Sequence, residues 1–288
     1  MSPERVEKLS RNIEKTIGDT PYEIIAFDNR ETKYGITKVY NLCAEKARYE
    51  CLCFVHEDVI FRSRNWGESI VAQLGTPRCG CIGFAGSKVK SKLLSSVHSI
   101  KPYFVSNYIQ SGFKKGCKIY ENNIMEDTDF EPCVTLDGLC IFVRKDVWEE
   151  IHFDEEIVTG FHGYDLDFSI RVALQYRNYI CNTLILEHTS IGSFSTDWVN
   201  STIALHEHQA WKDKLPIYSP DIDPGSFTEA QENDIFFYFF IRYAIRARYP
   251  FKNVYRFIKE YWNRTHFKEH SMTLLLKIIK IYILHLKY

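Results

Sequence analysis

The chain has 288 residues, enough for one large domain or for a domain with an appendage. Apolar residues make up 45% of it and charged residues 25%, which is typical of a globular protein and excludes a disordered, collagen-like or coiled-coil chain. The 36 basic and 37 acidic residues leave a formal net charge of -1, which argues against a nucleic-acid binder.

The N-terminal residues lack the apolar segment of a signal peptide, and no stretch reaches the roughly 18 uninterrupted apolar residues of a membrane-spanning helix. We therefore expect a cytoplasmic protein whose nine cysteines are reduced thiols. The pairs Cys51/Cys53 and Cys79/Cys81 lie in predicted strands, where residues i and i+2 share a face. Buried thiols are a better interpretation than zinc ligands, because zinc-binding cysteine pairs usually enclose two to four residues.

Helices and short apolar strands alternate through the first hundred residues. The predicted elements are a helix over residues 3–17, a strand over 22–27, a helix over 36–48 and strands over 51–55 and 81–85. This alternation predicts an α/β fold with a mainly parallel sheet, in which ligands bind beyond the carboxyl ends of the strands. Two polar turns lie at such ends, Asp28-Asn29 and His56-Glu57-Asp58.

The second part of the chain is less regular. Residues 86–130 have no clear periodicity and are predicted to be loops; Lys88, Lys90 and Lys92 within them are expected on a solvated face, with phosphate contact as the alternative. Strand character resumes over 134–143, around Asp137-Gly138. A helix is predicted over 161–176 and a strand over 184–186, which ends at Glu187-His188.

Three acidic motifs are candidates for chemistry. The strand before Glu57-Asp58 delivers two carboxylates into a loop, which suits a hard divalent cation, although a solvated turn is the alternative. Asp165 and Asp167 open a helix, where either one can stabilise the helix N-terminus and Asp165 can act as a general base. His188 becomes a candidate ligand if it lies near Asp58 in space.

The order of these motifs resembles that of a GT-A glycosyltransferase of the family-2 type. The motifs are Asp28 at a strand end, Asn41 in a helix, Glu57-Asp58, Asp165 and His188. The stretches YNLCAEKARYECLCFVHEDVIFRSRNW (residues 40–66) and FHGYDLDFSIRVALQ (residues 161–175) resemble the StrF-like subgroup. The resemblance implies a Rossmann-like mixed sheet over residues 1–215, with a basic helical C-terminal extension over residues 216–288.

The resemblance also implies an activity and its residues. It implies a metal-dependent, inverting transfer of a sugar from a nucleotide diphosphate, with UDP as a guess, to a glycan or lipid-linked acceptor in cell-surface glycan synthesis. Asp58 and His188 would bind Mn²⁺ or Mg²⁺, and Asp165 would be the catalytic base. The residues expected to contact the nucleotide or the sugar are Asp28, Asn29, Asn41, Glu57, Trp66, Asp137 and Tyr164. Trp66, Phe161 and Tyr164 offer stacking faces for sugars, with core packing as the alternative.

The chain departs from the family pattern at three points. His56 stands where the metal motif usually has its first acid, Tyr164 stands where the base motif has a Glu, and the chain starts at a helix where members start with a strand. A catalytically inactive nucleotide- or sugar-binding scaffold is therefore the alternative function. A nucleotidyltransferase is a third, but the chain shows no glycine-rich phosphate loop near its N-terminus.

The last 48 residues are basic. Residues 241–288 contain eleven Lys or Arg residues and two acidic ones, Glu260 and Glu269. One interpretation is a membrane-surface element, since LLLKIIKIYILHLKY (residues 274–288) is apolar enough to lie in an interface and too interrupted to span it. This gives a peripheral location on the inner face of the membrane. The other interpretation is a helical appendage packed on the catalytic domain or on a second subunit.

Overall fold

A computed structural model describes residues 2–112, 117–190, 192 and 194–265. The helices are α1 (Pro3–Thr16), α2 (Ile36–Lys46), α3 (Trp66–Leu74), α4 (Lys145–Ile151), α5 (Tyr164–Ala173), α6 (Thr196–Leu205), α7 (Glu229–Phe236), α8 (Arg242–Arg246) and α9 (Phe251–Arg264). A π-helical turn, Phe237–Ile241, joins α7 to α8, and short 3₁₀ turns cover Lys212–Lys214 and Pro224–Ser226.

Thirteen strands in the described residues form three sheets. They are β1 (Cys51–Val55), β2 (Val59–Phe61), β3 (Cys79–Gly83), β4 (Ala85–Ser87), β5 (Val89–Lys90), β6 (Phe104–Gln110), β7 (Ile119–Asn123), β8 (Phe130–Cys133), β9 (Thr135–Leu136), β10 (Cys140–Arg144), β11 (Arg177–Cys181), β12 (Leu186–His188) and β13 (Ile217–Tyr218). The first sheet has the order β1-β10-β3-β11-β8 and the second the order β2-β12-β6-β4-β9, with β7 also paired to β6. Strands β5 and β13 form a separate pair.

The sheets are mixed, as the resemblance implies, and the expectation of a mainly parallel sheet is wrong. Only the pairs β3/β11 and β6/β12 are parallel among the described strands; the other pairs are antiparallel. Helical crossovers join few of the neighbouring strands, and strands without such a crossover pair antiparallel.

The expectation that residues 86–130 are loops is also wrong. They contain β5, β6 and β7. Strand β6 carries Ser106 and Asn107 in the protein interior, where the Asn107 amide nitrogen lies within hydrogen-bond distance of the backbone carbonyls of residues 181, 182 and 184. Buried polar residues that are satisfied in this way hide the apolar alternation that marks a strand.

The N-terminal helix and α2 are confirmed, but the strand predicted over residues 22–27 is absent. That segment forms no ladder with any described strand, and its apolar residues Tyr22 and Ile24 are 39% and 43% exposed. An apolar run can therefore pass over the surface when no neighbouring strand edge accepts it. The first strand of the described chain is therefore β1, which follows two helices.

Helices cover both faces of the first sheet. Alternate residues of β1 and β10, among them Phe54 and Val143, pack with α4 and α5 in one apolar cluster. Phe142, one residue along β10, points to the other face and packs with α1 and α3. Because β1 and β10 are antiparallel, the C-terminal end of β1 lies beside the start of β10, and the candidate site lies at that edge of the sheet.

The C-terminal helices form a third apolar cluster. Residues of α7 to α9 pack together with Leu93, Trp198 and Val199 from the preceding part of the chain. The extension begins with strand β13 and is mainly helical from Glu229 to Arg264; the boundary after residue 215 stays a prediction. Residues 274–288, predicted as an interfacial segment, lie outside the described residues. Within the described ranges, no helix combines the length and apolarity needed to cross a bilayer.

The predicted burial of the cysteines and exposure of the lysines are each only partly correct. All nine cysteines are free, and Cys79 and Cys81 are buried, whereas Cys53 is exposed. Lys88 and Lys90 do not lie on a solvated face, nor are they open to phosphate, because both are buried. The Lys88 ammonium pairs with the carboxylates of Glu126, Glu131 and Asp221.

Candidate active site

Three side chains from two strand ends converge on one point. His56 and Asp58 follow β1, and His188 ends β12, which pairs with β2 so that His188 lies opposite Val59. One potential ligand atom from each of these three residues lies within 4.8 Å of the others. The Nε2 atom of His188 is 3.5 Å from Oδ1 of Asp58. The sequence-predicted pair Asp58 and His188 is thus brought together, and His56 joins it.

The protonation of His188 is set by its neighbour Gln110. The Gln110 amide nitrogen lies within hydrogen-bond distance of three backbone carbonyls, those of Ser111, His188 and Ser190, so its Oε1 faces the Nδ1 atom of His188 at 3.1 Å. An amide oxygen only accepts, so Nδ1 of His188 carries the proton. Nε2 faces Asp58, where a neutral imidazole can bind a metal ion and a protonated one can pair with the carboxylate.

His56 is oriented by Tyr164 in the same manner. The Tyr164 hydroxyl donates its single proton to the carbonyl of Gly138 at 2.8 Å and lies 2.7 Å from Nε2 of His56. Nε2 of His56 is therefore the donor, and its Nδ1 keeps a lone pair. Burial lowers the pKa of His56 below the usual histidine value, which favours this neutral form.

The electrostatics of Asp58 fit a cation at this point. Burial alone would raise its pKa, but His188 and Ser190 bring the pKa below its usual value, so the carboxylate is charged. Its Oδ2 atom lies 3.9 Å from the exposed guanidinium of Arg5, whereas its Oδ1 atom is buried and has no hydrogen-bond donor in the described structure. A charged oxygen left in this way is costly unless a cation neutralises it. The two imidazoles and the carboxylate therefore fit a divalent metal ion.

Asp165 contacts the backbone of Gly138, which follows Asp137 in the chain. The Asp165 carboxylate accepts from the backbone amides of Gly138 at 3.0 Å and Leu166 at 2.9 Å. Burial, and secondarily the charge of Asp137, raises the pKa of Asp165 to about 7. A Cβ atom at residue 138 would lie 2.0 Å from the Tyr164 hydroxyl oxygen, so only glycine allows this close approach.

Asp167, two residues beyond Asp165, has a structural role. It makes no side-chain hydrogen bond at the helix N-terminus. Its buried carboxylate instead pairs with Arg171 and accepts from the indole of Trp211 at 3.1 Å. Because the two residues lie on different faces of α5, Asp165 faces Asp137 and Asp167 points into the interior.

His98 faces Asp137 from a loop that the sequence did not single out. Its Nε2 atom lies 4.0 Å from Oδ2 of Asp137, and both side chains keep about a quarter of their surface exposed. The imidazole stacks on Phe104 and on Phe239, with ring centroids 5.1 and 6.2 Å away. Phe239 belongs to the π-helical turn of the C-terminal extension. The extension thus contacts a residue that faces the site.

Several residues predicted to contact the nucleotide or the sugar do not fit that role, because their side chains pack in the core or bond to other parts of the protein. Trp66 is 5% exposed and stacks on Phe61 at 4.3 Å. The Asn41 amide is buried and bonded to Phe153, Glu155 and Trp148. Both oxygens of Glu57 accept from the backbone amide of Ser2. Tyr164 is 3% exposed and serves through its hydroxyl, not as a stacking face.

Asp28 and Asn29 remain predictions. Asp28 is exposed and pairs with Arg30, an interaction that lowers the pKa of Asp28 to about 2. The Asn29 side chain bonds to Thr32 and Tyr34 and closes a local turn. In the described part of the chain, neither has a hydrogen bond or ion pair to the three-residue cluster of His56, Asp58 and His188.

Sequence reasoning missed His56 as a ligand, and it missed His98 and Gln110 entirely. A signal for His56 was present, since it stands two residues before Asp58 in the position of the motif's first acid. His98 and Gln110 had no such signal, because they lie in the segment predicted as loops. Phe161, in contrast, is 57% exposed with its ring 5.7 Å from His56, as a stacking face requires.

Comparisons with known proteins bear on this site. A family model described as a glycosyltransferase-like family matches residues 5–214. One similar solved structure is the crystal structure of GalNAc-T7 with UDP, GalNAc and Mn²⁺, with 9% sequence identity and a TM-score of 0.47. The similarity covers 72% of this chain and 45% of that one, so the chain spans less than half the length of that protein. No curated protein sequence matches.

Proposed function

The chain belongs to the glycosyltransferase-like family and has mixed α/β sheets, and from this premise we propose that it is a metal-dependent, inverting glycosyltransferase of the GT-A type. It moves a sugar from a nucleotide diphosphate to an acceptor hydroxyl, in the synthesis of a cell-surface glycan. The observation that carries the proposal is the convergence of His56, Asp58 and His188 on one point. Tyr164 links this point to Asp165, because it precedes Asp165 in α5 and contacts His56.

His56, Asp58 and His188 are the residues that would hold the metal ion. A divalent cation bound there supplies a Lewis acid that offsets the negative charge of the nucleoside diphosphate leaving group. Two imidazole nitrogens beside one carboxylate favour Mn²⁺ over Mg²⁺, because Mg²⁺ prefers oxygen ligands. Gln110 and Tyr164 keep the two imidazoles in the tautomers that present lone pairs.

Asp165 is the proposed base that takes the proton of the acceptor hydroxyl. Its two backbone hydrogen bonds hold the carboxylate in one orientation and leave a further lone pair on each oxygen. A pKa of about 7 suits a group that must accept a proton near neutral pH. Attack by the deprotonated hydroxyl on the anomeric carbon, opposite the leaving group, inverts the anomeric configuration.

His98, Asp137 and Phe161 supply the features that a sugar ring needs. Asp137 offers a carboxylate oxygen and His98 an imidazole nitrogen 4.0 Å apart, a spacing that neighbouring hydroxyls of one sugar can bridge. Phe161 offers an exposed aromatic face next to His56. Carboxylate, imidazole and aromatic face together match the alternating polar and apolar surfaces of a pyranose.

Calorimetry tests the proposal. UDP and GDP are titrated into the chain with Mn²⁺, with Mg²⁺ and with neither, and release of UDP from a UDP-sugar is then measured. We expect nucleotide binding that requires the metal and falls at least tenfold in Asp58→Asn and His188→Gln, because each loses one metal ligand. Asp213→Asn, a change at an exposed carboxylate in a short 3₁₀ turn, serves as the matched control.

The outcomes separate the enzyme from the inactive scaffold. Metal-dependent nucleotide binding with sugar release supports the proposal. Metal-dependent binding without turnover of any nucleotide sugar supports the scaffold. If neither metal changes nucleotide binding, the three-residue cluster is not the metal site and the proposed mechanism is wrong.

A further inference from the structure

Helix α9 buries one face and exposes the other. Val254, Phe257 and Tyr261 are buried in the C-terminal apolar cluster. At 100° per residue, Phe251, Tyr255 and Trp262 fall within a 40° arc on the outward side of the helix. They are 68%, 58% and 40% exposed, and the rings of Phe251 and Tyr255 lie 6.3 Å apart.

A row of cations runs beside this row of aromatic rings. Lys252, Arg256 and Lys259 are exposed and fall within a 60° arc that begins about 40° beyond the aromatic row. Glu260, on the far side of the cations, is the helix's one acidic residue. Exposed Arg246 lies in α8, just before α9. A helix that simply faces water commonly mixes charges of both signs, and this outward face has cations and aromatic rings with one acid at its margin.

Aromatic rings beside cations match the two layers of a membrane surface. Tyrosine and tryptophan rings favour the headgroup region, where one part of the ring is apolar and the other is wet. Lysine and arginine are attracted to anionic lipid headgroups. A helix with both rows, held along its third face by the protein, can lie in the plane of the interface.

We propose that the outward face of α9 docks the protein on a leaflet rich in anionic lipid. The exposed cations complement the charge of anionic headgroups, and the exposed aromatic row on the same helix suits the headgroup layer. The rings of Phe251, Tyr255 and Trp262 enter the headgroup layer, and Lys252, Arg256 and Lys259 contact lipid phosphates. This inference does not depend on the proposed glycosyl transfer.

Vesicle co-sedimentation of the full chain tests the docking face. Wild type is mixed with vesicles of phosphatidylcholine alone or of equal parts phosphatidylcholine and phosphatidylglycerol, at low and high salt. We expect binding to the anionic vesicles that weakens with salt. The variant K252S/R256S/K259S should lose about two orders of magnitude in partitioning, since each cation near the surface contributes roughly a fivefold factor. F251S/Y255S/W262S should lose the binding that remains at high salt.

The controls isolate α9. Every variant keeps residues 266–288, so a difference between variants arises from the helix and not from the basic segment beyond it. K8S/R11S/K15S removes three exposed cations from α1 and should bind as wild type does. Circular dichroism and thermal unfolding confirm that each variant is folded.

Three results would overturn the proposal. One is equal partitioning of wild type and both α9 variants. Another is wild-type self-association that F251S/Y255S/W262S abolishes, which would make this face an interface between copies of the chain. The third is preferential binding of a single-stranded oligonucleotide over anionic vesicles.

Discussion

The Nε2 atom of His56 lies 2.7 Å from the hydroxyl oxygen of Tyr164, whose own proton goes to the carbonyl of Gly138. This contact decides which nitrogen of His56 keeps its lone pair. It also explains why a tyrosine stands at residue 164, where the family pattern has a second carboxylate. The tyrosine is a support for the proposed metal ligand, not a substitute for the missing acid.

Tyr164→Phe should weaken metal binding. The ring still fits its buried position, but His56 loses its acceptor and its tautomer is no longer fixed. Removing a partner of this kind typically lowers metal affinity about 10- to 100-fold. Titration of Mn²⁺ by calorimetry measures the change. Tyr176→Phe, which removes an exposed hydroxyl contact to Glu150, is the control, and equal affinities in the two variants would contradict the assigned role of Tyr164.

Asp165→Asn should separate binding from turnover. The amide keeps the size of the carboxylate but cannot take the acceptor's proton. Loss of a general base typically reduces turnover about 10²- to 10⁴-fold. We expect a loss in that range in UDP release from a UDP-sugar, with metal-dependent UDP binding close to the wild-type value. A variant that retains turnover would rule out Asp165 as the base.

Asp137→Asn should move the acid limb of the pH–activity profile. Asp165 has a pKa raised to about 7, mainly by burial and then by the charge of Asp137. The base works when deprotonated, so activity rises with pH through about 7. Removing the Asp137 charge lowers the pKa of Asp165, and the rise should occur at lower pH. The turnover number is measured between pH 5 and 9, and a limb that stays in place contradicts the coupling of the two carboxylates.

A buried lysine gives a prediction for stability. The Lys90 ammonium donates to Ser95 and to the carbonyl of Ser91, and it lies 2.9 Å from Nε2 of His206. Burial lowers the pKa of Lys90 from 10.5 to about 7. The unfolded chain keeps this proton up to its ordinary pKa, so between pH 7 and 10.5 the unfolded state binds more protons than the folded state. Stability from this group therefore rises with pH across that window.

Lys90→Met should remove this rise. One titrating group contributes a slope of up to about 1.4 kcal/mol in the free energy of unfolding per pH unit. Urea unfolding at pH 7 and pH 9 measures the slope in wild type and variant. Lys92→Met, at a lysine whose side chain is half exposed, should keep the wild-type slope. Identical slopes in wild type and Lys90→Met would show that Lys90 stays protonated when folded.

The parts of the fold that follow local pattern were predictable. Strand β1, helix α2 and helix α5 follow from apolar periodicity, and the polar residues at strand ends marked the edge where the site lies. Strand β6 was not predictable, because Ser106 and Asn107 are buried in it and satisfied by partners distant in sequence. For the segment around Ile24 the error is the reverse: its apolar pattern predicts a strand, but the segment pairs with no described strand and Ile24 is exposed.

The residues of the candidate site also differ in how far local sequence pattern predicts them. Asp58, His188 and Asp165 could be named from sequence, because each follows or precedes an element with a clear pattern. The roles of Trp66 and Asn41 could not, since an aromatic ring or an amide serves the core or a ligand equally well until its neighbours are known. Gln110 and His98 are positioned by long-range pairing of β6 and by the C-terminal helices, which no local pattern encodes.

The stacking of Phe239 on His98 has a consequence for anyone who shortens this chain. The family match ends at residue 214, which makes that point an inviting place to truncate. Such a fragment would uncover the apolar side chains of Leu93, Trp198 and Val199 and would take away one of the two rings that hold His98 over Asp137. The minimal working unit is therefore longer than the part that resembles its relatives.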